Sequence, residues 1–283
     1  MKIALAQIAP VLGDVARNFD LHLEEIARAR KDKADLILFP ELSLTGYLLK
    51  DLTETVALVP AKDARFRELQ SLSRDIGIVA GFVEEKERGL FFNSAALFAG
   101  GELLDVHRKI FLPTYGMFEE SKFFGVGRDY RVVSTPWGKA GLLICREFLS
   151  YGAHYVLLAQ GAELVLAISA APGRGMTEAE DFATARMWEV MGEAMAQTSG
   201  CFIAYCNRAG FEDGIAFGGG SFIFDPAGRR LAKARPAERD FVLQEVDLQD
   251  IRRVRKAMPF LRDDRPEIIL NALRRAVERH EDQ

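Results

Sequence analysis

Apolar residues fall along this chain in short runs rich in Ile, Val, Leu and Phe. Runs at Ile3–Ile8, Leu36–Phe39, Ile76–Phe82, Phe92–Phe98, Ala140–Ile144, Leu164–Ile168, Phe202–Tyr205, Ser221–Phe224 and Phe241–Val246 predict β-strands. Between some of them the apolar period lengthens to that of a helix. From Phe19 to Ala29 a helix is expected, with Phe19, Leu23, Ile26 and Arg30 on one face. Glu178–Thr198 is rich in Ala, Met and Glu, has no Pro and a single Gly, and predicts a long helix. Asp247–Ala257 and Arg265–Arg279 read as amphipathic helices, the second with Pro266 in its first turn. Strands alternate with helices over part of the chain and follow one another around residues 76–106, which predicts an α/β architecture with a mixed sheet. No linker rich in Pro, Gly or Ser and no repeat interrupts the pattern, so residues 1–283 are expected to form a single domain.

Composition narrows the function classes. Of 283 residues, 49% are apolar and 28% charged, the balance of a globular protein whose core needs neither metal nor disulfide to fold. The net charge of −4 comes from well-mixed signs, without the concentrated basic face that nucleic acid or an anionic membrane requires of a main partner. Three cysteines, Cys145, Cys201 and Cys206, read as reduced thiols of a cytoplasmic protein. The opening MKIALAQIAP is too short in apolar residues for a signal peptide, and no stretch approaches a membrane span.

Four segments depart from what a bland core needs. In Leu38-Phe39-Pro40-Glu41 an apolar strand ends and a carboxylate follows at once, where α/β folds expose working residues. Alone, Glu41 reads as a solvated loop residue. Lys109, in His107-Arg108-Lys109-Ile110-Phe111, sits between apolar neighbours at a strand end, and matters only if partners converge on it. In Gly141-Leu142-Leu143-Ile144-Cys145-Arg146-Glu147 a strand delivers a cysteine just before charged groups, so its thiolate can be stabilised and reached. Cys201 and Cys206 read as inert buried thiols. Phe118-Glu119-Glu120-Ser121 supplies further carboxylates.

Amide hydrolysis explains why such a set belongs together. A thiol of ordinary pKa is mostly protonated at neutral pH, so a neighbouring base must take its proton. A carboxylate in a water-poor pocket suits that task, because desolvation raises its pKa. Attack puts negative charge on the substrate, which a fixed ammonium and a backbone N–H after the nucleophile stabilise. Glu41, Lys109 and Cys145 can fill these roles without a histidine.

These segments resemble the nitrilase superfamily of carbon–nitrogen hydrolases, whose Glu–Lys–Cys triad runs in the same chain order. Phe39-Pro40-Glu41-Leu42 with Gly46-Tyr47 is similar to its glutamate motif, Arg108-Lys109-Ile110-Phe111-Leu112 to its lysine motif, and Gly141-Leu142-Leu143-Ile144-Cys145 to its cysteine motif. The likeness extends from Ile3-Ala4-Leu5-Ala6-Gln7 and Gly13-Asp14-Val15 to Gly219-Gly220-Ser221 and Asp225-Pro226-Ala227-Gly228. The resemblance implies a four-layer α-β-β-α sandwich with mixed sheets, pairing into a homodimer or a higher even oligomer. It also implies a second glutamate, here Glu120, that holds the lysine and the substrate.

Leu112-Pro113-Thr114-Tyr115-Gly116-Met117-Phe118 most resembles the branch containing the glutamine-hydrolysing domain of glutamine-dependent NAD synthetase. It implies a glutamine-like or small carboxamide substrate and places Tyr115 among its contacts. With no phosphate-binding loop and an end soon after residue 280, the chain is expected to be a stand-alone relative. Two departures from the branch stand out. Arg146 follows the cysteine where an acidic residue is common; it either binds a carboxylate-bearing substrate in bidentate fashion or faces outward. The loop from Ser169 through Ala171 to Gly175 follows the substrate-loop pattern only in part, and Ser169 and Ala171 are the expected contacts there.

The resemblance thus implies a small-molecule amide or nitrile substrate and no cofactor or metal. Within it, amidase, nitrilase and acyl transferase share the same cysteine; an amidase is expected, because most of the family and the most similar branch act on amides, with a nitrilase or a scaffold that lost the reaction as the alternatives. Other chemistries lack their residues. His22, His107, His154 and His280 have no paired metal-ligand spacing, and neither Cys-x-x-Cys nor Gly-x-Ser-x-Gly occurs. Gly125-Val126-Gly127 and Gly218-Gly219-Gly220 lack the context of a phosphate loop and are expected to serve turns. His107 reads as a packed or surface group.

Overall fold

The computed structural model describes residues 1–175 and 182–281. Two six-stranded mixed sheets form its centre. The first contains β1 (Lys2–Gln7), β2 (Leu36–Leu38), β3 (Gly77–Glu87), β4 (Leu90–Ala99), β5 (Glu102–Arg108) and, from late in the chain, β14 (Asp240–Glu245). Its order is β14-β1-β2-β3-β4-β5, with β1, β2 and β3 parallel and the other neighbours antiparallel. The second contains β6 (Val132–Thr135), β7 (Gly138–Ile144), β8 (Leu164–Ser169), β9 (Phe202–Asn207), β12 (Phe222–Phe224) and β13 (Arg230–Lys233). Here β7, β8 and β9 are the parallel trio, in the order β13-β12-β9-β8-β7-β6. A hairpin of β10 (Ala209–Glu212) and β11 (Ile215–Gly218) stands apart.

Parallel strands need crossovers, and helices supply them. In the first half these are α1 (Val15–Lys31) and α3 (Ala64–Leu72), with a one-turn α2 (Thr53–Val56) between them. In the second half they are α4 (Tyr151–Ala159) and α5 (Ala183–Ser199). Three helices close the chain: α6 (Gln249–Ala257), α7 (Phe260–Asp263) and α8 (Pro266–Glu281).

The layers follow from the two-residue period of the strands. Ile3 and Leu5 of β1 face the second sheet and share a core with Leu36, Leu38, Val79, Leu142, Leu164 and Leu166. Ala4 and Ala6 face the other way, into a core with Phe19 and Ile26 of α1 and Phe66 and Leu69 of α3. Trp188 and Ala196 of α5 cover the far side of the second sheet. The result is a four-layer α-β-β-α sandwich, as the resemblance implied.

Some local expectations change. The inward face of α1 carries Phe19, His22, Ile26 and Ala29, whereas Arg30 is exposed and pairs with Asp75 at 2.5 Å. The helix expected over Glu178–Thr198 is described from Ala183; its first residues, 178–181, lie outside the described residues. No helix among the described residues is long and apolar enough to cross a membrane.

Candidate active site

The parallel trios run so that their carboxyl ends meet where the two sheets face each other, and polar groups gather there. Glu41 follows β2 after Phe39-Pro40, Lys109 is the residue after β5, Cys145 is the residue after β7, and Ser169 ends β8. All four are buried, Lys109 completely.

One ammonium organises the centre. Lys109 Nζ donates to Glu41 Oε1 at 2.6 Å and to Glu120 Oε1 at 2.7 Å. Glu41 accepts two more hydrogen bonds, from Asn93 Nδ2 at 2.7 Å and, on Oε2, from the Ala170 backbone N–H at 2.7 Å. Glu120 also accepts from the Tyr47 hydroxyl at 2.5 Å, while its Oε2 is buried and has no partner among the described residues. Glu119, its neighbour in sequence, is exposed and pairs with Lys122. The Cys145 thiol lies within electrostatic reach of Glu41, Lys109 and Glu120, beside the Ser169 hydroxyl.

Two carboxylates against one ammonium leave surplus negative charge in a buried place, and the titrating groups respond. Burial, then the charge of Glu41, pushes the Cys145 thiol up to about 12, against the opposing pull of Lys109. The resting sulfur is therefore a neutral thiol. Burial alone would lower Lys109, but Glu120 and Glu41 outweigh it and hold the ammonium above its ordinary range. Glu120 is raised by burial, with Lys109 pulling the other way and Glu41 adding repulsion.

Backbone geometry aims these groups. Cys145 has φ 48°, the left-handed region that costs a residue with a Cβ roughly 1–2 kcal/mol. This turn takes the chain from β7 into a short 3₁₀ turn and leaves the sulfur at the strand end. Leu42, directly after Glu41, has the same φ of 48°. The Glu41 turn crosses β3 at Gly81, where an added Cβ would lie 2.4 Å from Leu42 N and 2.5 Å from Pro40 O. Only glycine permits that approach.

The remaining expected contacts are placed as follows. Tyr115 is 58% exposed and touches the centre only indirectly, edge-on to Phe118, which packs edge-on to Tyr47. Arg146 lies over the Phe111 ring at 5.8 Å, with Nη1 buried and without a partner among the described residues. Ala171 N–H is taken by Asn207 Oδ1 at 2.8 Å, so it is the preceding Ala170 that reaches Glu41. A small cavity of about 50 Å³ opens beside Glu120, walled by Tyr47, Leu49, Met117 and Phe118 together with the polar Lys50, Thr53 and Glu119.

Sequence reading missed Asn93, Ala170 and Gly81, and gave Glu147 no role. Asn93 carried a signal, being a polar residue inside the apolar run Phe91-Phe92-Asn93. Ala170 acts through its backbone and carried none. His107 is packed, buried against Glu147 and stacked on Tyr130. Cys206 is buried with its sulfur 3.3 Å from Leu38 O, and Cys201 beside Ser199.

Comparison with known proteins gives a uniform picture. The profile of the carbon–nitrogen hydrolase family matches residues 2–256. The chain is 32% identical over 251 residues to the glutamine-dependent NAD(+) synthetase of Acinetobacter baylyi, covering 89% of this chain and 45% of that protein. It thus spans about half the length of the NAD(+) synthetases it matches. It is 31% identical over 267 residues to an (R)-stereoselective amidase of a Pseudomonas species, covering 94% of this chain and 92% of the relative. Among solved structures, the NitN amidase of Nesterenkonia sp. AN1 superposes with a TM-score of 0.80 at 28% identity, covering 96% of this chain and 99% of that one. One structure of that amidase carries the acetamide moiety of fluoroacetamide covalently added at the active-site cysteine.

Proposed function

The chain belongs to the carbon–nitrogen hydrolase family, and from that premise we propose that it hydrolyses a small amide through a thioester on Cys145. The observation that carries the reading is a buried thiol at a strained strand end, facing one ammonium held between two buried carboxylates.

Glu41 takes the thiol proton as sulfur attacks the amide carbon. A thiol raised to about 12 does not ionise by itself near neutrality, so proton removal and attack run together. Negative charge then develops on the substrate oxygen, stabilised by Lys109 and the Arg146 backbone N–H, each donor worth roughly 3–4 kcal/mol. The intermediate collapses as Glu41 protonates the leaving nitrogen, which departs as ammonia or an amine. Water, deprotonated by Glu41, splits the thioester to release the acid, and the proton returns to sulfur. Glu120 holds Lys109 and presents Oε2, unpartnered among the described residues, to a substrate N–H.

Two amidases, both matched over almost their whole length, support a small carboxamide as substrate. Tyr151 and Val156 of α4 and Met187 and Val190 of α5 are exposed apolar residues on the outer layer, which supports pairing of two copies through these helices. Free thiols at all three cysteines suit a cytoplasmic enzyme.

The test is intact-mass spectrometry of the wild type and Glu41→Gln after incubation with acetamide, propionamide, L-glutamine and the matching nitriles. An acyl mass gain on Cys145, absent from Cys145→Ala, is expected with amides. Adducts from nitriles alone would replace amidase by nitrilase, and ammonia release by Cys145→Ala would end the assignment.

A further inference from the structure

Glu147 lies outside the group around Lys109, yet its carboxylate is completely buried and collects three donors. Oε1 accepts the Ile110 backbone N–H at 2.7 Å. Oε2 accepts the Ile144 backbone N–H at 2.7 Å and faces His107 Nε2 at 2.8 Å. These donors have specific places in the chain. Ile144 immediately precedes Cys145, while His107 and Ile110 flank Lys109 on either side. The imidazole is itself fixed, buried and stacked on Tyr130 with ring centres 5.6 Å apart.

The two strand ends joined here belong to different sheets, β5 to the first and β7 to the second. No backbone ladder can set their spacing, because a ladder acts only within a sheet. Lys109 is tied to its own sheet by its N–H, which donates to Asn93 O at 2.9 Å, and the Asn93 side chain holds Glu41. Among the described residues, no backbone hydrogen bond ties Cys145 to the first sheet. The two oxygens of Glu147 supply that tie.

We propose that Glu147 is a positioning residue that sets the distance between Lys109 and Cys145 across the two sheets, with His107 orienting its carboxylate. This rests on the reading of Cys145 and Lys109 as nucleophile and charge stabiliser. A carboxylate can accept from both backbone N–H groups at once. A carboxamide of the same shape can accept on one side only and turns an N–H toward the other, so one strand end must retreat. Displacement of about 1 Å at reacting groups costs on the order of 10²-fold in rate.

The test uses the full chain with Glu147→Gln, His107→Asn and Cys145→Ala. Turnover is measured on the amide of the panel above that reacts fastest and referred to active sites titrated by thioester mass; thiol reactivity is read as the rate of Cys145 alkylation by fluoroacetamide. For Glu147→Gln, kcat per titrated site and the alkylation rate are expected to fall about 10²-fold with KM nearly unchanged, and His107→Asn should follow with a smaller loss, about tenfold. Wild-type kcat and alkylation rate per folded molecule, with only the melting temperature lowered, would overturn the proposal. If Glu147→Gln does not fold, His107→Asn decides by the same criterion. Turnover surviving in Cys145→Ala would instead refute the nucleophile assignment, an outcome separate from either.

Discussion

Gly81→Ala should strip the enzyme of most of its turnover while leaving it folded. The methyl group would sit 2.4 Å from Leu42 N, 2.5 Å from Pro40 O and 2.9 Å from Glu41 C, all backbone atoms that cannot rotate away. Ordinary contact begins near 3.4 Å, so the Glu41 turn must move by about 1 Å, enough to cost on the order of 10²-fold in kcat. That factor is roughly 2.7 kcal/mol of transition-state stabilisation. The movement also pulls Glu41 from three donors, Lys109, Asn93 and Ala170. Overpacking should lower stability by about 1–3 kcal/mol, a loss a chain of this size can survive. The assay is ammonia release from the best amide, paired with a thermal melt. Gly89→Ala is the control: nothing lies within 4 Å, but alanine is forced to φ 77°, so stability should drop while turnover stays. Wild-type turnover in a folded Gly81→Ala protein would refute the claim that this turn aims Glu41.

Asn93→Ala removes one of Glu41's three donors; a hydrogen bond to a charged group is worth about 1.5–3 kcal/mol, so kcat should fall about 10- to 100-fold, and an unchanged kcat would contradict it. Glu120→Gln removes a negative charge that raises the Cys145 thiol, so the pH profile of alkylation by fluoroacetamide should move to lower pH, whereas turnover falls because Lys109 exchanges a charged partner for a neutral one. Burial lowers the His22 and His154 imidazoles from 6.5 to about 4, so the unfolded chain binds these protons first as pH falls. Their contribution is complete above pH 6.5 and is lost toward pH 4, roughly 3 kcal/mol for each histidine, and a melting temperature flat across that window would exclude it.

Much of the architecture was legible because both faces of the central strands are buried. A strand covered on two sides must be apolar almost throughout, so β1, β2, β7, β8 and β9 announce themselves as runs. The edges were less visible. β5 carries Asp105, His107 and Arg108, β13 carries Arg230 and Lys233, and polar side chains at a sheet edge erase the apolar signal. Helix α4, with apolar residues on every side, has no helical period to detect.

The site divides along the same line. Cys145 stands out by itself, at the end of an apolar run before charged groups, whereas Glu41, Lys109 and Glu120 are singled out only as a set, by the family resemblance. Their partnership cannot be read from the chain, since it is a matter of distance between segments remote in sequence: Glu41 and Ala170 N–H meet across 129 positions. The tertiary structure alone decided that Lys109 is shared by two carboxylates, that Gly81 makes room for the acid, and that Glu147 ties one sheet to the other. The physical reason is that local pattern records what each residue must bury, whereas hydrogen-bond geometry and charge balance depend on which residues the packed layers bring together.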